Sequence, residues 1–300
     1  MKKSKEKIPK RRFKEFKNAE AWEQRKWIET VDISTDMVDP KNGVYDEMLH
    51  VAPGNIEPFT GQLYDNIKLV KEENLISGKF RFNVGDIIYG KINPQLGKYV
   101  FARFEGITSA DAYVLNAKND LNQKFLFSLL QTKDFYDYSV SVSRRSGMPK
   151  INRNELNAYS YFAPSIDEQC KMGELFLSID SLITLHQRKL EKLKALKKAY
   201  LTDMFPAKGE GKPKLRFGGF TGDWKGCKLK NLSESFEYGL NVAAIEFDGK
   251  NKYIRITDID DSSRVFVDTD LTLPNIGLMS IYWTQKVKLF YAALLTNNSH

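Results

Sequence analysis

The sequence predicts an α+β fold: a globular unit of short strands and helices, one long coiled-coil-type helix, and an incomplete second copy of the globular unit. Three observations carry this. Pro9-Lys10-Arg11-Arg12-Phe13-Lys14-Glu15-Phe16, followed by Trp22, returns as Pro213-Lys214-Leu215-Arg216-Phe217-Gly218-Gly219-Phe220, followed by Trp224. The Pro, Arg and two Phe positions share one offset of 204 residues, which marks a tandem repeat of domain size. Short β-branched runs bounded by turn residues fill the first unit, and from Ser165 the apolar residues step by three and four with no proline before Pro206.

Residues 1–14 form a basic tail, with the run Lys2 to Lys14 open to two readings, an electrostatic arm or a solvated tail. The first globular unit takes residues 15–164. Gly85-Asp86-Ile87-Ile88-Tyr89-Gly90-Lys91-Ile92 is a turn followed by a buried-strand pattern, and Tyr99 to Phe104 and Ala112 to Leu115 are two further strands. Leu121 to Thr132, with Phe125, Leu126, Leu129 and Leu130 on one face, is an amphipathic helix capped by Asn119 or Asp120.

Residues 165–206 form the long helix. Ser165-Ile166-Asp167-Glu168 is a capping-box signature at its start. Met172, Leu175, Ile179, Leu182, Leu190, Leu193, Leu196 and Tyr200 line one face, with His186 in the gap, and Lys and Arg dominate the reverse. At 1.5 Å per residue the helix is roughly 57 Å long, more than a core helix needs, so the stripe requires a partner. Pro206 stops it, residues 207–213 are a linker, and residues 214–300 are the second, incomplete unit.

The chain has 300 residues, enough for about two domains, with net charge +8 and pI near 9.1. That balance favours a polyanion, nucleic acid first and an anionic membrane surface second. Cys170 and Cys227 are isolated, and His50, His186 and His300 have no metal-binding spacing, so no disulfide, metal or cofactor is expected and a reducing cytoplasm fits. No apolar stretch is long enough to span a membrane, and the basic N-terminus lacks the core of a signal peptide.

Catalytic chemistry is not expected. Asn93-Pro94-Gln95-Leu96 has only the first two residues of the Asn/Asp-Pro-Pro-aromatic element of adenine methyltransferases and no preceding glycine-rich loop, so it reads as a turn. Gly209-Glu210-Gly211-Lys212-Pro213 lacks the spacing and the hydroxyl of a phosphate-binding loop. Two segments are candidates for contact with DNA. One is the loop holding Arg144, Arg145, Ser146 and Lys150, whose alternative reading is a solvated loop; the other is the turn with Lys91, Asn93, Gln95 and Lys98.

The order of these features resembles the specificity subunits of type I restriction-modification systems, over about residues 8 to 275. The most specific stretch is Pro164 to Gln169, with Ile179-Asp180, Ile183, Lys189-Leu190, Leu193-Lys194 and Leu201 to Pro206, which is similar to that family's central helix. Lys214-Leu215-Arg216-Phe217, Phe220 and Trp224 resemble the opening of each target-recognition domain; Gly85-Asp86-Ile87 and Asp111-Ala112-Tyr113 resemble its internal strands. The resemblance implies a non-catalytic reader of double-stranded DNA. Each recognition domain would read a half-site, and the helix would set the gap between them. It also implies docking of methyltransferase (modification) subunits on the helix and, through them, restriction subunits.

The second unit departs from that pattern. An offset of 204 puts a counterpart of Gly85-Asp86-Ile87 near residue 289, where the chain reads Lys-Val-Lys-Leu-Phe, so a truncated second domain is expected, with Ile276 to His300 a frameshifted tail. A homodimer pairing two such helices antiparallel would restore two recognition domains. A coiled-coil interaction protein without a DNA role and a stand-alone DNA-modifying enzyme are the competing readings.

Overall fold

The computed structural model describes residues 8–144, 147–234, 242–250, 253–261, 263, 265–269 and 271–275. The chain divides into two compact units, Met1–Asp203 and Met204–His300.

In the first unit a four-stranded antiparallel sheet is central. It is made from β2 (Val31–Ile33), β10 (Ala112–Ala117), β7 (Ile87–Gly90) and β8 (Tyr99–Phe101), in that order. Every residue of β7 is buried, which is why its sequence is a continuous apolar run and not an alternating one. The pleat sends Ile87, Tyr89, Leu115 and Tyr99 to one face and Ile88, Val114 and Val100 to the other. The first face packs on α2 (Gln123–Leu130), α3 (Lys133–Ser143) and α4 (Arg153–Asn157). Its aromatic centre is Trp27, in α1 (Trp27–Thr30), stacked on Phe135 with ring centroids 5.5 Å apart. The second face shares a core of Val51, Ile56, Phe82 and Ala112 with a five-stranded sheet. That sheet runs β3 (Met37–Val38), β6 (Lys79–Phe82), β9 (Gly106–Thr108), β4 (Leu49–Val51), β5 (Lys68–Leu69), antiparallel except for the β4–β9 pair. A ribbon of β1 (Glu23–Lys26) and β11 (Ser160–Ala163) closes the unit.

The three expected strands and the amphipathic helix are present, with one correction. The cap of α2 is Asn122, whose side chain accepts from the amides of Lys124 and Phe125. Asn119 and Asp120, the expected caps, instead adopt positive φ in the turn leading to it, a conformation that suits a tight reversal and not an N-cap.

The long helix, α5 (Ile166–Asp203), spans 38 residues. Only its first turns are buried: Gly173 packs so closely on α2 that a Cβ there would lie 2.6 Å from the Cβ of Lys124 and 2.8 Å from the amide nitrogen of Phe125. Gln169 ties the same turn down, accepting from the amide of Asn122 and donating to the carbonyls of Asp120 and Pro164. Glu168, read from the sequence as half of a capping box, directs its carboxylate to Arg12. Within the described residues 8–14, Arg12 is tied to the folded unit, since it also donates to the carbonyls of Ala19 and Glu20.

In the second unit, β12 (Ala244–Glu246) pairs antiparallel with β13 (Thr272–Pro274). The repeated motif has Arg216 donating to the Gly222 carbonyl and Trp224 edge-on to Phe205. The expected frameshifted tail and the position near 289 lie outside the described residues.

Candidate nucleic-acid interface

The two loops singled out in the sequence are about fifty residues apart in the chain and adjacent in space. The Asn93 amide donates to the Pro149 carbonyl at 2.8 Å, the Ile151 amide donates to the Lys91 carbonyl at 3.0 Å, and Ile92 and Lys150 form an antiparallel bridge. This pairing follows from local chemistry. Asn93 takes the left-handed conformation at φ 51°, Pro94 opens a one-turn 3-10 helix (Pro94–Leu96), and Gly97 at φ 55° ends it. The chain thus leaves β7, turns outward and returns as β8, exposing Gln95 and Leu96 at the tip. The second loop begins where α3 ends, with Arg144 exposed, and returns through Gly147 at φ 108° to Lys150.

The candidate residues differ in what they have available. Gln95, Arg144 and Lys150 are exposed, and Asn93 is half-buried with its side-chain oxygen 3.3 Å from the Gln95 amide nitrogen. The Lys91 ammonium lies 5.3 Å from the Tyr113 ring centroid. Lys98 points inward, its ammonium donating to the Pro53 carbonyl at 2.5 Å, so it braces the turn. Arg145 and Ser146 lie outside the described residues.

Sequence reading missed Phe59 and Tyr136. The Tyr136 hydroxyl donates to the Gln95 carbonyl at 3.3 Å, and its ring lies 5.7 Å from that of Phe59, which rests on Gly97. Phe59 is separated from the Lys91–Lys98 turn by the whole of β5, β6 and β7, and only the turn composition Pro58-Phe59-Thr60-Gly61 hinted at a special backbone there.

The second candidate surface is the stripe of α5. Met172 packs against the core of the first unit, while Leu175, Ile179, Leu182, Leu190, Leu193, Leu196 and Tyr200 are exposed along the helix. Among the described residues, no group of three His, Cys, Asp or Glu side chains is placed to hold a metal ion, and no helix is long and apolar enough to cross a membrane.

Residues 22–195 match the family model for the type I restriction modification DNA specificity domain. The chain is similar to the type I restriction enzyme EcoDI specificity subunit of Escherichia coli, 30% identical over 203 residues that cover 64% of this chain and 45% of that protein. It is also similar to the HindI specificity subunit of Haemophilus influenzae, 25% identical over 178 residues, 55% of this chain and 35% of that one. The chain therefore spans about half the length, or less, of these relatives. Among solved structures, the HsdS subunit from Thermoanaerobacter tengcongensis aligns with a TM-score of 0.45 and 19% identity, covering 63% of this chain and 50% of that one. The S subunit of a type I restriction-modification system from M. genitalium aligns with a TM-score of 0.44 and 14% identity, over 66% and 49%.

Proposed function

The chain belongs to the type I restriction-modification DNA specificity family, and on that premise we propose that its first unit reads a short DNA half-site while α5 joins it to the rest of a restriction-modification complex. One observation supports the proposal: two polar, basic loops distant in sequence pair through their backbones, and they carry the half-buried Asn93 and the exposed Gln95, Arg144 and Lys150. Side-chain amides suit adenine edges, and Arg or Lys suits guanine or phosphate. The rigid sheet behind the loops holds that constellation in place.

The chemistry of modification and cleavage is assigned to partner subunits, with methyltransferase subunits seated on α5 and restriction subunits reached through them. The exposed stripe from Leu175 to Tyr200 is the surface we assign to helix pairing, with a second copy of this chain as the partner, antiparallel, so that two reading domains face an interrupted palindrome.

The test is binding of a random duplex pool by the full chain, alone and together with a cognate modification subunit. A single enriched half-site, with affinity falling steeply as salt rises, is the expected result. Salt-insensitive binding, or no enrichment, would overturn it. Methyl transfer to DNA from labelled S-adenosylmethionine by this chain alone would count against the assignment of chemistry to partners.

A further inference from the structure

Phe59 holds a backbone conformation that a bulky L-residue avoids. Its φ is 63°, in the left-handed region, where the Cβ crowds the following carbonyl. Three contacts enforce it. The Phe59 amide donates to the Gly97 carbonyl at 2.8 Å, its carbonyl accepts from the Tyr99 hydroxyl at 3.2 Å, and its ring lies flush on Gly97, where a Cβ would come within 2.4 Å of the ring. Gly97 is thus matched to the ring as well as to its own positive φ.

The strain is not offset by burial, for Phe59 remains 55% exposed. Glycine or asparagine would serve a turn at lower cost, so the strain presents an aromatic ring outward without serving the core. The neighbourhood is informative. Leu96, at the tip of the adjoining turn, is 41% exposed, and Met148, on the adjacent loop, is 66% exposed. The same turn carries the side-chain amides of Asn93 and Gln95, 3.3 Å apart, and the loop that pairs with it through Asn93–Pro149 and Ile92–Lys150 carries the exposed Arg144 and Lys150.

We propose that Phe59 is a specificity-determining residue that contacts the C5-methyl group of a thymine in the major groove. This rests on the DNA-reading function proposed above. The thymine methyl is the one apolar group that base pairs present on their major-groove edges, and the amide and cationic groups of these two loops are those that read polar atoms on the same edges. A ring held at both ends of its own backbone and seated on a glycine is preorganised, so it loses little freedom on contact.

The experiment takes the half-site enriched by the full chain with its modification subunit and replaces each thymine in turn by uracil, for the unaltered protein, Phe59→Ala, Phe59→Leu and Phe59→Gly. One thymine should be found whose methyl removal weakens binding of the unaltered protein by about fourfold, the factor one buried methyl group is worth. Phe59→Ala should be indifferent to that methyl and accept other bases at that position alone, while Phe59→Leu keeps the preference. Phe59→Gly should lose the preference and melt no lower than the unaltered protein, because the strain is relieved. Methyl sensitivity that persists in Phe59→Ala, or none at any thymine, overturns the inference. If instead a 2-aminopurine probe shows base unstacking that depends on Phe59 without methyl sensitivity, the ring is a wedge and the thymine contact is refuted. Failure to enrich any half-site is a different outcome, since it removes the DNA-reading function itself.

Discussion

Arg12 and Glu168 lie 156 positions apart and form a paired ion bridge, with Nε 2.8 Å and Nη2 2.6 Å from the carboxylate and side chains only 6% and 1% exposed. The contact fastens the repeated opening motif to the first turn of α5, which gives the arginine of that motif a structural purpose. The carboxylate raises the pKa of the guanidinium further by accepting its hydrogen bonds.

Removing either partner leaves a charge stranded beside the helix start. Arg12→Ala and Glu168→Ala should each lower the thermal midpoint by more than the exposed control Lys194→Ala, and the double variant should lose less than the sum of the two. Additive losses in a calorimetric double-mutant cycle would show that the two residues do not act as a pair.

Gly173 sets how closely α5 approaches α2. Alanine would gain about 1 kcal/mol of helix propensity, but its Cβ would meet backbone atoms of Lys124 and Phe125 at 2.8 Å, and backbone cannot yield as a side-chain tip can. Gly173→Ala should therefore destabilise the first unit by about 1–3 kcal/mol in urea unfolding. A stabilised variant would mean that the two helices separate freely.

The paired loops should divide into base readers and phosphate contacts. Asn93→Ala or Gln95→Ala should cost about 1–3 kcal/mol on the selected half-site and relax one position, whereas Lys150→Ala should weaken all sequences and reduce the salt slope by about one. Lys98→Ala should act through loop stability, because its ammonium is committed to the Pro53 carbonyl. The check is fluorescence anisotropy across a salt series with matched and mismatched duplexes.

Leu182 and Leu193 are 55% and 52% exposed on the stripe of α5. Leu182→Glu and Leu193→Glu should convert a dimer into a monomer in multi-angle light scattering, while leaving far-ultraviolet helicity of the first unit intact. A monomeric unaltered protein, or a dimer indifferent to both charges, defeats pairing of two copies.

His50, in β4, gives the fold a pH dependence. Its Nδ1 lies 2.6 Å from a Glu73 oxygen, while Nε2 is buried without a partner among the described residues. Burial lowers its pKa below the ordinary 6.5, with Lys79 acting in the same direction; the hydrogen bond and charge of Glu73 oppose the shift without cancelling it. The unfolded chain therefore takes up the proton first, so stability is intact above pH 6.5 and falls as the pH drops below that value toward the depressed folded pKa. Urea midpoints measured across this window should decline for the unaltered protein and decline less for His50→Gln.

Elements whose signal is local were legible in the linear chain. The run Ile87 to Gly90 announced a strand buried on both faces, the three-and-four stepping from Met172 to Tyr200 announced α5 nearly to its ends, and the repeat of Pro9 to Phe16 announced a second unit. Each depends on periodicity or self-similarity within a short window, which the linear chain displays in full. Which of these residues meet became visible only in the folded chain. Glu168 looked like a helix cap and is the partner of Arg12, because two turns distant in sequence converge where α5 leaves the domain. Lys98, a candidate DNA contact by its place in the turn, donates to the Pro53 carbonyl; Phe59 stands beside that turn because β7 and β8 carry Gly97 underneath its ring. Residue types and spacing specify secondary structure through interactions a few positions apart. The pairing of loops across a sheet depends on topology, which is settled only when the two buried faces of β7 and β10 find their separate cores.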